Sequence, residues 1–454
     1  MQITFFGAAE EVTGSCHLLT CVDENQAERR ILIDCGMVQG EQLCSTKNMR
    51  AFGFDASKLD AVCVTHPHAD HTGRLPALIK AGYAGTIYLT EPCQSLTKLV
   101  LEDAHHIMTE EAEKCGSGVL YELEDLIGVF EQMNPVSYHE EIIVAPGVKI
   151  AFHDAGHVLG SAYITIEAEG KRVVFSGDIG NDAVPILPPT DPISHADVVV
   201  CESTYGDRVH ENAEMRTQLL KDAMVETIKD NGVLLIPSFS IERTQEVLYE
   251  MNNILHELKT SMPIFLDSPM AIKATQVYRD FKGYLRFNAP ILQEPDRDFF
   301  SFPNLRETLT VEASKDIANA PSPKIIIAGS GMMNGGRIMH HLKRYLPNSN
   351  TTILVIGYQA AGTLGRMIFN GAKEVMIYGQ AVDVRAKIKG IGSFSAHGDK
   401  NKLTRWLKPE DGVMPKTIFL VHGDDDAKES FALHLKETLH TEIVIPKEGT
   451  THVC

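Results

Sequence analysis

Short apolar runs separated by polar turns dominate the first two hundred residues and predict β-strands. We expect strands over residues 2–6, 17–22, 30–34, 61–65, 86–90, 149–153, 162–167, 172–176 and 197–202. A charged segment of helical character, from Cys93 to about Glu131, interrupts them. Many short strands with few helices predict a sandwich of two sheets with helices on its outer faces.

From about Asp207 the pattern changes to apolar runs that alternate with helical segments. It predicts helices over 213–230, 242–258 and 338–345, and strands over 233–237, 263–266, 324–328 and 352–356. This alternation is typical of a mostly parallel sheet. Short strands resume over 374–380, 384–391, 417–422 and 441–446. We therefore predict an inserted α/β domain over 207–371, within a first domain formed by 1–206 and completed by 372–454.

The composition places the chain among globular proteins of more than one domain. It has 454 residues, of which 44% are hydrophobic and 22% charged, and both fractions are ordinary for such proteins. No segment approaches the length of a membrane span, and the first residues lack a basic region followed by an apolar core. Nine scattered cysteines without a CxxC pair suit buried thiols in a reducing compartment. These features predict a cytoplasmic, unprocessed protein.

The net charge of −18 argues at first against a polyanionic substrate. The charge is uneven, however, because residues 207–371 contain 18 basic and 18 acidic residues. Within residues 317–373 there are six basic residues and no acidic one: Lys324, Arg337, Lys343, Arg344, Arg366 and Lys373. This segment predicts a local cationic surface of the kind that phosphate contacts require, with ordinary charge fluctuation as the alternative.

Histidines and carboxylates cluster where predicted strands end. Six residues in the order His-Pro-His-Ala-Asp-His follow the apolar run that ends at Val64, and further strand ends carry a lone His or Asp. Together they form a predicted set of metal ligands: His66, His68, Asp70, His71, His157, Asp178 and His422. Singly, each of the three distant residues is more typical of a polar strand end than of a ligand.

The predicted ligands divide into two groups of three. His66, His68 and His157 can hold one ion. Asp70, His71 and His422 can hold a second, and Asp178 can bridge the two. Nitrogen-rich ligation without thiolate suits zinc, and a pair of ions about 3.5–4 Å apart lowers the pKa of a bridging water toward roughly 7. Asp34, at the end of another strand, could orient a ligating imidazole or simply terminate the strand.

This constellation resembles the metallo-β-lactamase superfamily, whose pattern is the His-x-His-x-Asp-His cluster followed by a lone His, an Asp and a C-terminal His. The segments 201–206, 393–399 and 421–424 further resemble the β-CASP group of nucleic-acid nucleases. The closest similarity is to the RNA-cleaving branch, which includes the eukaryotic pre-mRNA 3′-end-processing endonuclease and its bacterial and archaeal relatives. The resemblance implies an α/β fold, an αββα metallo-β-lactamase sandwich with an inserted β-CASP domain.

The resemblance also implies catalytic roles for residues outside the ligand set. Glu202 would hydrogen-bond His397, and His397 would act as general acid toward the leaving 3′-oxygen, with Asp70 counted among the catalytic residues beside its metal role. A carboxylate partner keeps an imidazole protonated near neutrality, and an expelled alkoxide needs a proton. A histidine at position 422 is typical of RNA-directed members, whereas DNA-directed relatives often have valine there.

Candidate substrate contacts come from two glycine-rich segments and from the loop before His397. Residues 328–337 follow a predicted strand and open a helix, so their backbone N–H groups, Ser330 and Arg337 could bind phosphate. A tight turn with a surface arginine is the alternative. Residues 357–366, which end at Arg366, are similar, and Ser395 belongs to a segment that carries the resemblance. One Trp and 7% aromatic residues predict backbone-led recognition with little base stacking.

We therefore predict a di-zinc ribonuclease that hydrolyses single-stranded RNA in the cleft between the two domains. One alternative is a small-molecule hydrolase of the same superfamily that acts on a thioester, a lactam or a cyclic phosphodiester. A second is a non-catalytic RNA-binding subunit. Because the chain ends soon after its last predicted strand, we expect a free-standing enzyme rather than an obligate member of a processing complex. No membrane partner is expected. A homodimer, the mode of cleavage and the RNA target stay open.

Overall fold

The structure is a computed structural model. It describes residues 1–38, 47–115, 118–182, 184–210, 214–258, 260, 262–286, 298–357, 359 and 362–454, without the side chains of residues 114, 115, 214 and 393. These residues form two compact units. The first comprises Met1–Asp182, Pro188–Val209 and His397–Cys454, and the second comprises His210–Ala396 together with the short segment 183–187.

The β-strands alternate with helices in an order close to the predicted one. In chain order the strands are β1 Gln2–Gly7, β2 Cys16–Val22, β3 Glu28–Ile33, β4 Ala61–Cys63, β5 Thr86–Thr90, β6 Met133–Val136, β7 Ile142–Ala145, β8 Val148–Asp154, β9 Ala162–Ala168, β10 Lys171–Phe175, β11 Val198–Glu202, β12 Val233–Pro237, β13 Ile264–Asp267, β14 Leu305–Glu307, β15 Lys324–Ala328, β16 Thr351–Val355, β17 Glu374–Ile377, β18 Gln380–Asp383, β19 Lys387–Gly390, β20 Thr417–Val421, β21 Glu442–Val444 and β22 Thr451–Val453.

The helices of the described residues follow the same chain order. They are α1 Ala69–Thr72, α2 Leu75–Lys80, α3 Glu91–Cys115, α4 Leu123–Gln132, α5 Glu214–Lys229, α6 Arg243–Leu258, α7 Pro269–Asp280, α8 Val311–Asp316, α9 Ile338–Tyr345, α10 Leu364–Phe369, α11 Lys400–Trp406 and α12 Asp425–Leu439. The single helical stretch predicted from Cys93 to about Glu131 is thus two helices, α3 and α4. None of these helices is long and apolar enough to cross a membrane.

The first unit consists of two seven-stranded sheets that pack face to face. One sheet has the order β22-β1-β2-β3-β4-β5-β6 and the other the order β21-β20-β11-β10-β9-β8-β7. Their inner faces share one apolar core, to which β1 contributes Phe5 and β20 contributes Phe419, with ring centroids 5.2 Å apart. The period-two alternation of the sequence produces this core, because alternate side chains of a strand point to the same face.

Helices cover the outer faces of both sheets in the first unit. Residues of α2, α3 and α4 pack on the first sheet in a second cluster that includes Leu78 and Leu101. Residues of α11 and α12, among them Trp406 and Phe431, pack on the second sheet. The four layers are therefore helix, sheet, sheet, helix, and the predicted αββα sandwich is confirmed.

The second unit is built on a six-stranded sheet of order β14-β13-β15-β12-β16-β19, in which every pairing is parallel. Its four central strands, β13, β15, β12 and β16, are buried along their whole length and mostly apolar, as expected for a sheet covered on both faces. The sequence assigned residues 384–391 to the C-terminal completion of the first domain. In the structure β19 instead pairs with β16, and the second unit extends to Ala396 rather than to Gly371. Pairing partners are non-local, so a short strand gives no sign of the sheet that it joins.

A buried cluster of charged side chains lies inside the second unit. Arg216 donates to Glu246 at 2.5 Å and to Glu250 at 3.2 Å, and Arg243 donates to Glu246 at 2.6 Å. Glu242 is 1% exposed, and neither of its carboxylate oxygens accepts a hydrogen bond from any described residue. Burial, together with the negative charge of Glu246, raises the pKa of Glu242 to about 8.

The cysteines of the described part of the chain are unpaired thiols. Six of them are buried, whereas Cys454 is partly exposed. Cys44 and the side chain of Cys115 lie outside the described residues. Burial raises the pKa of Cys63 to above its usual range, so this thiol stays protonated and unreactive at neutral pH.

Candidate active site

The predicted metal ligands lie on four loops that leave the carboxyl ends of strands in the two sheets of the first unit. The loop after β4 carries His66 and His68 and continues into α1, which carries Asp70 and His71. The loops after β8, β10 and β20 carry single residues, His157, Asp178 and His422. Strands β4 and β8 belong to different sheets, so the fold brings together residues that lie up to 356 positions apart in the chain.

The first ligand group surrounds a small volume. His66 Nε2 lies 3.1 Å from His68 Nδ1, and His157 Nε2 lies 3.4 Å from the same His68 atom. Asp178 Oδ2 lies 3.3 Å from His66 Nε2 and 3.6 Å from His157 Nε2. Each of these four side chains thus offers one ligand atom to a common centre.

The second ligand group shares the same aspartate. Asp178 Oδ1 lies 3.4 Å from His71 Nε2 and 3.5 Å from His422 Nε2. Asp70 Oδ2 lies 3.5 Å from the same His422 atom. One oxygen of Asp178 therefore faces each group, which is the arrangement of a bridging carboxylate.

These separations fit a tetrahedral metal ion. Zinc binds imidazole nitrogen and carboxylate oxygen at about 2.0–2.2 Å, and neighbouring ligands of a tetrahedron lie about 1.6 times that distance apart, roughly 3.3–3.6 Å. Direct hydrogen bonds between these atoms would be shorter, about 2.7–3.2 Å. Six of the seven separations exceed that range, so the side chains are spaced to hold a cation rather than to bond one another.

The polar atoms of the cluster support the same interpretation. His71 Nε2, His422 Nε2 and Asp178 Oδ1 are buried and form no hydrogen bond with any described residue, which costs free energy unless a ligand compensates it. Burial lowers the pKa of His66 to about 4 and that of His68 to about 3. Both imidazoles are therefore neutral at neutral pH, as metal ligation requires, whereas for His71 and His422 the charge of Asp178 outweighs burial and raises the pKa.

Neighbouring residues orient the rings of the predicted ligands His71 and His422. Asp34 Oδ2 accepts a hydrogen bond from His71 Nδ1 at 2.7 Å, which directs Nε2 of that ring toward Asp178. Thr65 anchors Asp34 in turn, because its backbone N–H and its hydroxyl both donate to the carboxylate, at 2.7 and 2.8 Å. Thr204 Oγ1 lies 3.1 Å from Nδ1 of His422. Such partners set the ring orientation and the tautomer of a metal-binding histidine.

Two glycines allow the ligand loops to approach neighbouring backbone. A Cβ atom on Gly36 would lie 1.6 Å from the carbonyl oxygen of Asp70, and one on Gly180 would lie 1.9 Å from that of Gly156. Real Cβ atoms never approach so closely, and backbone atoms cannot move aside cheaply. Glycine is therefore required at both positions for the loops that carry His71 and His157 to keep their places.

Glu202 and His397 form a pair beside the metal cluster. His397 Nδ1 lies 3.2 and 3.1 Å from the two carboxylate oxygens of Glu202, and 3.9 Å from Asp178 Oδ2. Glu202 is fully buried and also accepts the backbone N–H of Ile179 at 2.7 Å. Burial opposes the charged form of His397, but the charges of Glu202 and Asp178 outweigh it and raise the pKa to about 9.

Backbone contacts hold His397 in this position. Residues Gly180 and His397 form an antiparallel bridge, and Gly398 N–H donates to the carbonyl of Ile179 at 2.7 Å. The loop that follows Asp178 is therefore joined to the segment that carries His397. The ring centroid of His397 lies 4.6 Å from that of His157, so the pair adjoins the first ligand group.

The predicted substrate contacts lie in the second unit and differ from one another. Arg337 donates to Asp267 at 2.7 Å and to the carbonyls of Thr308 and Leu309 at 2.6 and 2.7 Å. These contacts favour a structural role for its guanidinium. Arg366 is exposed, and its guanidinium donates to the carbonyl of Gln359 at 3.4 Å, which is long for a hydrogen bond.

The two candidate serines also have internal contacts. Ser330 Oγ accepts the backbone N–H of Asn334 at 3.3 Å, and so stabilises its own glycine-rich turn. Ser395 is buried, and its N–H donates to Gly392 O at 3.1 Å. Three residues of the second glycine-rich segment, at positions 358, 360 and 361, lie outside the described residues.

The cationic segment is smaller in the structure than in the sequence. Lys324 is buried, and its ammonium donates to the carbonyls of Ile317 and Ala320, both at 2.7 Å. With Arg337 paired to Asp267, the exposed basic residues of this segment are Lys343, Arg344, Arg366 and Lys373.

The sequence interpretation missed Thr65 and Thr204 as orienting residues. Thr65 immediately precedes the histidine cluster, and Thr204 lies within the segment 201–206 that carried the resemblance. A hydroxyl next to a metal-binding motif is the available signal, but its partner lies on another loop. The sequence alone therefore shows no reason to assign either residue a role.

A four-layer sandwich with a cluster of histidines and carboxylates at its strand ends defines a class of metal-dependent hydrolases. Comparison with protein families agrees with this class along most of the chain. The metallo-β-lactamase superfamily matches residues 11–205, the β-CASP domain matches residues 244–368, and the Zn-dependent metallo-hydrolase RNA specificity domain matches residues 381–446. The chain belongs to the β-CASP group of the metallo-β-lactamase superfamily, as the sequence resemblance predicted.

Characterised relatives cover nearly the whole chain. Ribonuclease TTHA0252 of Thermus thermophilus is 38% identical over 94% of this chain and 94% of its own length. Transcription termination factor FttA of Methanosarcina mazei is 32% identical over 97% of this chain and 70% of its own. Integrator complex subunit 11 of Danio rerio is 26% identical over 99% of this chain and 74% of its own length.

A solved structure has the same fold. The crystal structure of a protein of unknown function from Enterococcus faecalis V583 has a TM-score of 0.58 at 11% identity, and the match covers 100% of this chain and 99% of the other. At this identity the likeness concerns the fold alone.

Proposed function

We propose that the protein is a di-zinc ribonuclease that hydrolyses phosphodiester bonds of single-stranded RNA. The main support is the convergence of seven ligand side chains, with ligand-atom separations of 3.1–3.6 Å, next to the Glu202–His397 pair. The similarity to a named ribonuclease over 94% of the chain and to an RNA specificity domain supports RNA as the substrate.

In this proposal one zinc ion is held by His66, His68 and His157, and a second by Asp70, His71 and His422. Asp178 contributes one oxygen to each. Bound at these positions, the two ions would activate a water molecule and neutralise charge on the phosphate oxygens. Asp70 takes part in catalysis only as a ligand.

The chain's own residues supply the proton that the leaving group needs. Hydrolysis breaks the bond between phosphorus and the 3′-oxygen, and the departing oxygen must gain a proton to leave as an alcohol. We assign this proton to Nε2 of His397, since Nδ1 faces Glu202. Glu202 stabilises the protonated ring and fixes its orientation, in the way that a buried aspartate orients the histidine of a catalytic triad.

The test compares His397→Ala with the parent enzyme on RNA labelled at the 5′ or the 3′ end. We expect the variant to retain its zinc and to lose cleavage by about 10²–10⁴-fold, the usual contribution of general acid catalysis. His195→Ala, a change at a partly exposed histidine paired with Asp411, serves as the matched control. The positions of the labelled products also distinguish internal cleavage from degradation from either end.

Two outcomes would contradict the proposal. Cleavage of RNA by His397→Ala at the parental rate would remove His397 from the role of proton donor. Turnover of a thioester, a lactam or a cyclic phosphodiester by the parent, with no cleavage of labelled RNA, would replace the ribonuclease proposal by that of a small-molecule hydrolase.

A further inference from the structure

A second group of potential metal ligands lies in the first unit, outside the cluster described above. His139 is in the turn between β6 and β7, His153 is the penultimate residue of β8, and Asp191 lies in the segment that precedes β11. Each offers one ligand atom, and these atoms lie within 4.8 Å of one another. His139 Nε2 is 3.5 Å from Asp191 Oδ2, a separation too long for a good hydrogen bond but suited to two ligands of one ion.

The ring of His153 is oriented as a metal-binding histidine is. It stacks on Tyr163 with a centroid distance of 4.7 Å and an interplanar angle of 12°, which fixes the plane of the ring. Its Nε2 lies 3.1 Å from Thr165 Oγ1, and that hydroxyl lies 3.5 Å from Ala151 O, to which it donates. Because the hydroxyl occupies Nε2, Nδ1 is the ring nitrogen left to bind an ion.

His153 also has the charge state that metal ligation requires. Burial and the neighbouring His139 lower the pKa of His153 to about 4, so the ring is neutral at neutral pH. A hydrogen bond from the second nitrogen to a protein oxygen is the usual accompaniment of imidazole ligation, because it fixes the ring and increases its basicity.

The carboxylate of Asp191 is also held in place. Its Oδ2 accepts the backbone N–H of Asp154 at 2.9 Å, while its own N–H donates to the carbonyl of Asp154 at 2.8 Å. The indole N–H of Trp406 donates to the carbonyl of Asp191 at 3.1 Å. The backbone N–H of His139 donates to the carbonyl of Phe152 at 2.8 Å. Each of the three ligands therefore projects from an anchored backbone.

We propose that His139, His153 and Asp191 bind a third divalent transition-metal ion. Two imidazole nitrogens and one carboxylate oxygen form a donor set suited to zinc and its neighbours rather than to calcium or magnesium, which prefer oxygen ligands. His139 is 63% exposed and Asp191 is 31% exposed at the side chain, so water completes the coordination. The ion joins the turn before β7, the end of β8 and the segment before β11.

This site has a structural consequence for the main cluster. Asp154, which forms two hydrogen bonds with Asp191 through its backbone, is the last residue of β8 and lies three residues before His157. Its Oδ1 accepts the N–H of Gly156 at 2.8 Å. The third ion would therefore brace the start of the loop that carries His157. It would not touch the reacting groups, and its role is that of a structural ion.

The test measures zinc stoichiometry in the full-length chain. The protein is stripped with a chelator, loaded with zinc chloride and titrated against a chromophoric competitor. We expect three zinc ions per chain in the parent and two in His139→Ala or Asp191→Asn. The matched control is His106→Ala, an exposed histidine of α3 that lies 3.2 Å from Glu110; it should retain three ions.

A second measurement locates the ion. Anomalous diffraction at the zinc edge should give a peak among His139, His153 and Asp191 that is absent from crystals of His139→Ala. Two equivalents in the parent, unchanged in both variants, would overturn the inference and leave His139 and Asp191 as an ion pair. If the parent instead bound one zinc that His139→Ala removed, the third site would stand and the proposed di-zinc centre would fail.

Discussion

Replacing Asp34 with asparagine tests how the outer residues control the metal centre. Asp34 is 1% exposed, and its carboxylate accepts bonds from Thr65 N, Thr65 Oγ1 and His71 Nδ1 at 2.7–2.8 Å. Its φ of +59° is a conformation that asparagine also tolerates. The substitution therefore changes the hydrogen-bonding pattern without changing shape or backbone strain.

Neither orientation of the new amide satisfies all three partners. If its oxygen accepts from Thr65 N, its NH₂ group faces His71 Nδ1 and shifts the imidazole proton to Nε2. The nitrogen 3.4 Å from Asp178 Oδ1 then has no lone pair for a metal. If the amide is reversed, its NH₂ group opposes the N–H of Thr65, a buried mismatch that costs about 1–3 kcal/mol.

The expected magnitude follows from these two costs. Loss of an outer partner lowers metal affinity by about 10–100-fold, which corresponds to about 1.4–2.7 kcal/mol. The amide reversal costs about as much, so neither orientation avoids the penalty. Asp34→Asn should therefore lower the affinity for the zinc ion assigned to Asp70, His71 and His422 by about 10–100-fold. At limiting zinc, the rate of RNA cleavage should fall in parallel. The ion assigned to His66, His68 and His157 should bind as in the parent.

Competition with a chelator of known affinity measures both zinc affinities. Asp60→Asn is the matched control, since Asp60 also accepts a backbone N–H, that of Arg30, at 2.8 Å, but lies outside the ligand shell. Circular dichroism checks that both variants fold. If Asp34→Asn bound both ions with parental affinity, the tautomer argument would be refuted. Equal weakening by Asp60→Asn would attribute the effect to general destabilisation.

Two further predictions concern the interior. The pKa of Glu242, raised by burial and by Glu246 to about 8, lies above its unfolded value, so the folded protein binds the extra proton. The protein's free energy of unfolding should therefore fall as the pH rises from 4.5 to 8, by up to about 1.4 kcal/mol per pH unit. Glu242→Gln should remove that part of the pH dependence, as measured by urea titrations at several pH values. An unchanged pH dependence would contradict the prediction. Gly36→Ala should lose bound zinc, because the new Cβ would lie 1.6 Å from the carbonyl oxygen of Asp70. Gly118→Ala is the control and should retain its zinc, because a Cβ there has no atom within 4 Å. Equal zinc contents in the two variants would refute the steric argument.

The sequence was most informative where chemistry and periodicity are local. Nine predicted strands of the first two hundred residues correspond to β1–β5 and β8–β11 within one or two residues at most ends, because alternation of apolar and polar residues is a local property. The helix α12, over Asp425–Leu439, was missed. Its acidic first turn and the helical spacing of its buried positions, from Ala427 through Phe431 and Leu435 to Leu439, were signals of a helix that the interpretation overlooked. In the structure, packing of residues such as Phe431 on the second sheet stabilises it.

Some functional assignments depended on contacts that no local pattern carries. Arg337 was a candidate phosphate contact because it follows a glycine-rich turn, yet its guanidinium is bound by Asp267, 70 residues away. Lys324 likewise counted toward a cationic surface, although its ammonium is buried against carbonyl groups. Charge can be counted from the sequence, but whether a charge faces solvent is decided by its partners.

By itself the sequence determined which candidate ligand side chains lie at this protein's strand ends and the order in which they occur. Residue type and short spacing suffice for that, since both are properties of the covalent chain. Only the tertiary structure decided that Asp178 faces both ligand groups, that Glu202 lies 3.1 Å from His397, and that His139, His153 and Asp191 meet. These juxtapositions join residues from separate strands and loops. Their distances arise from the packing of two sheets, which no segment specifies alone.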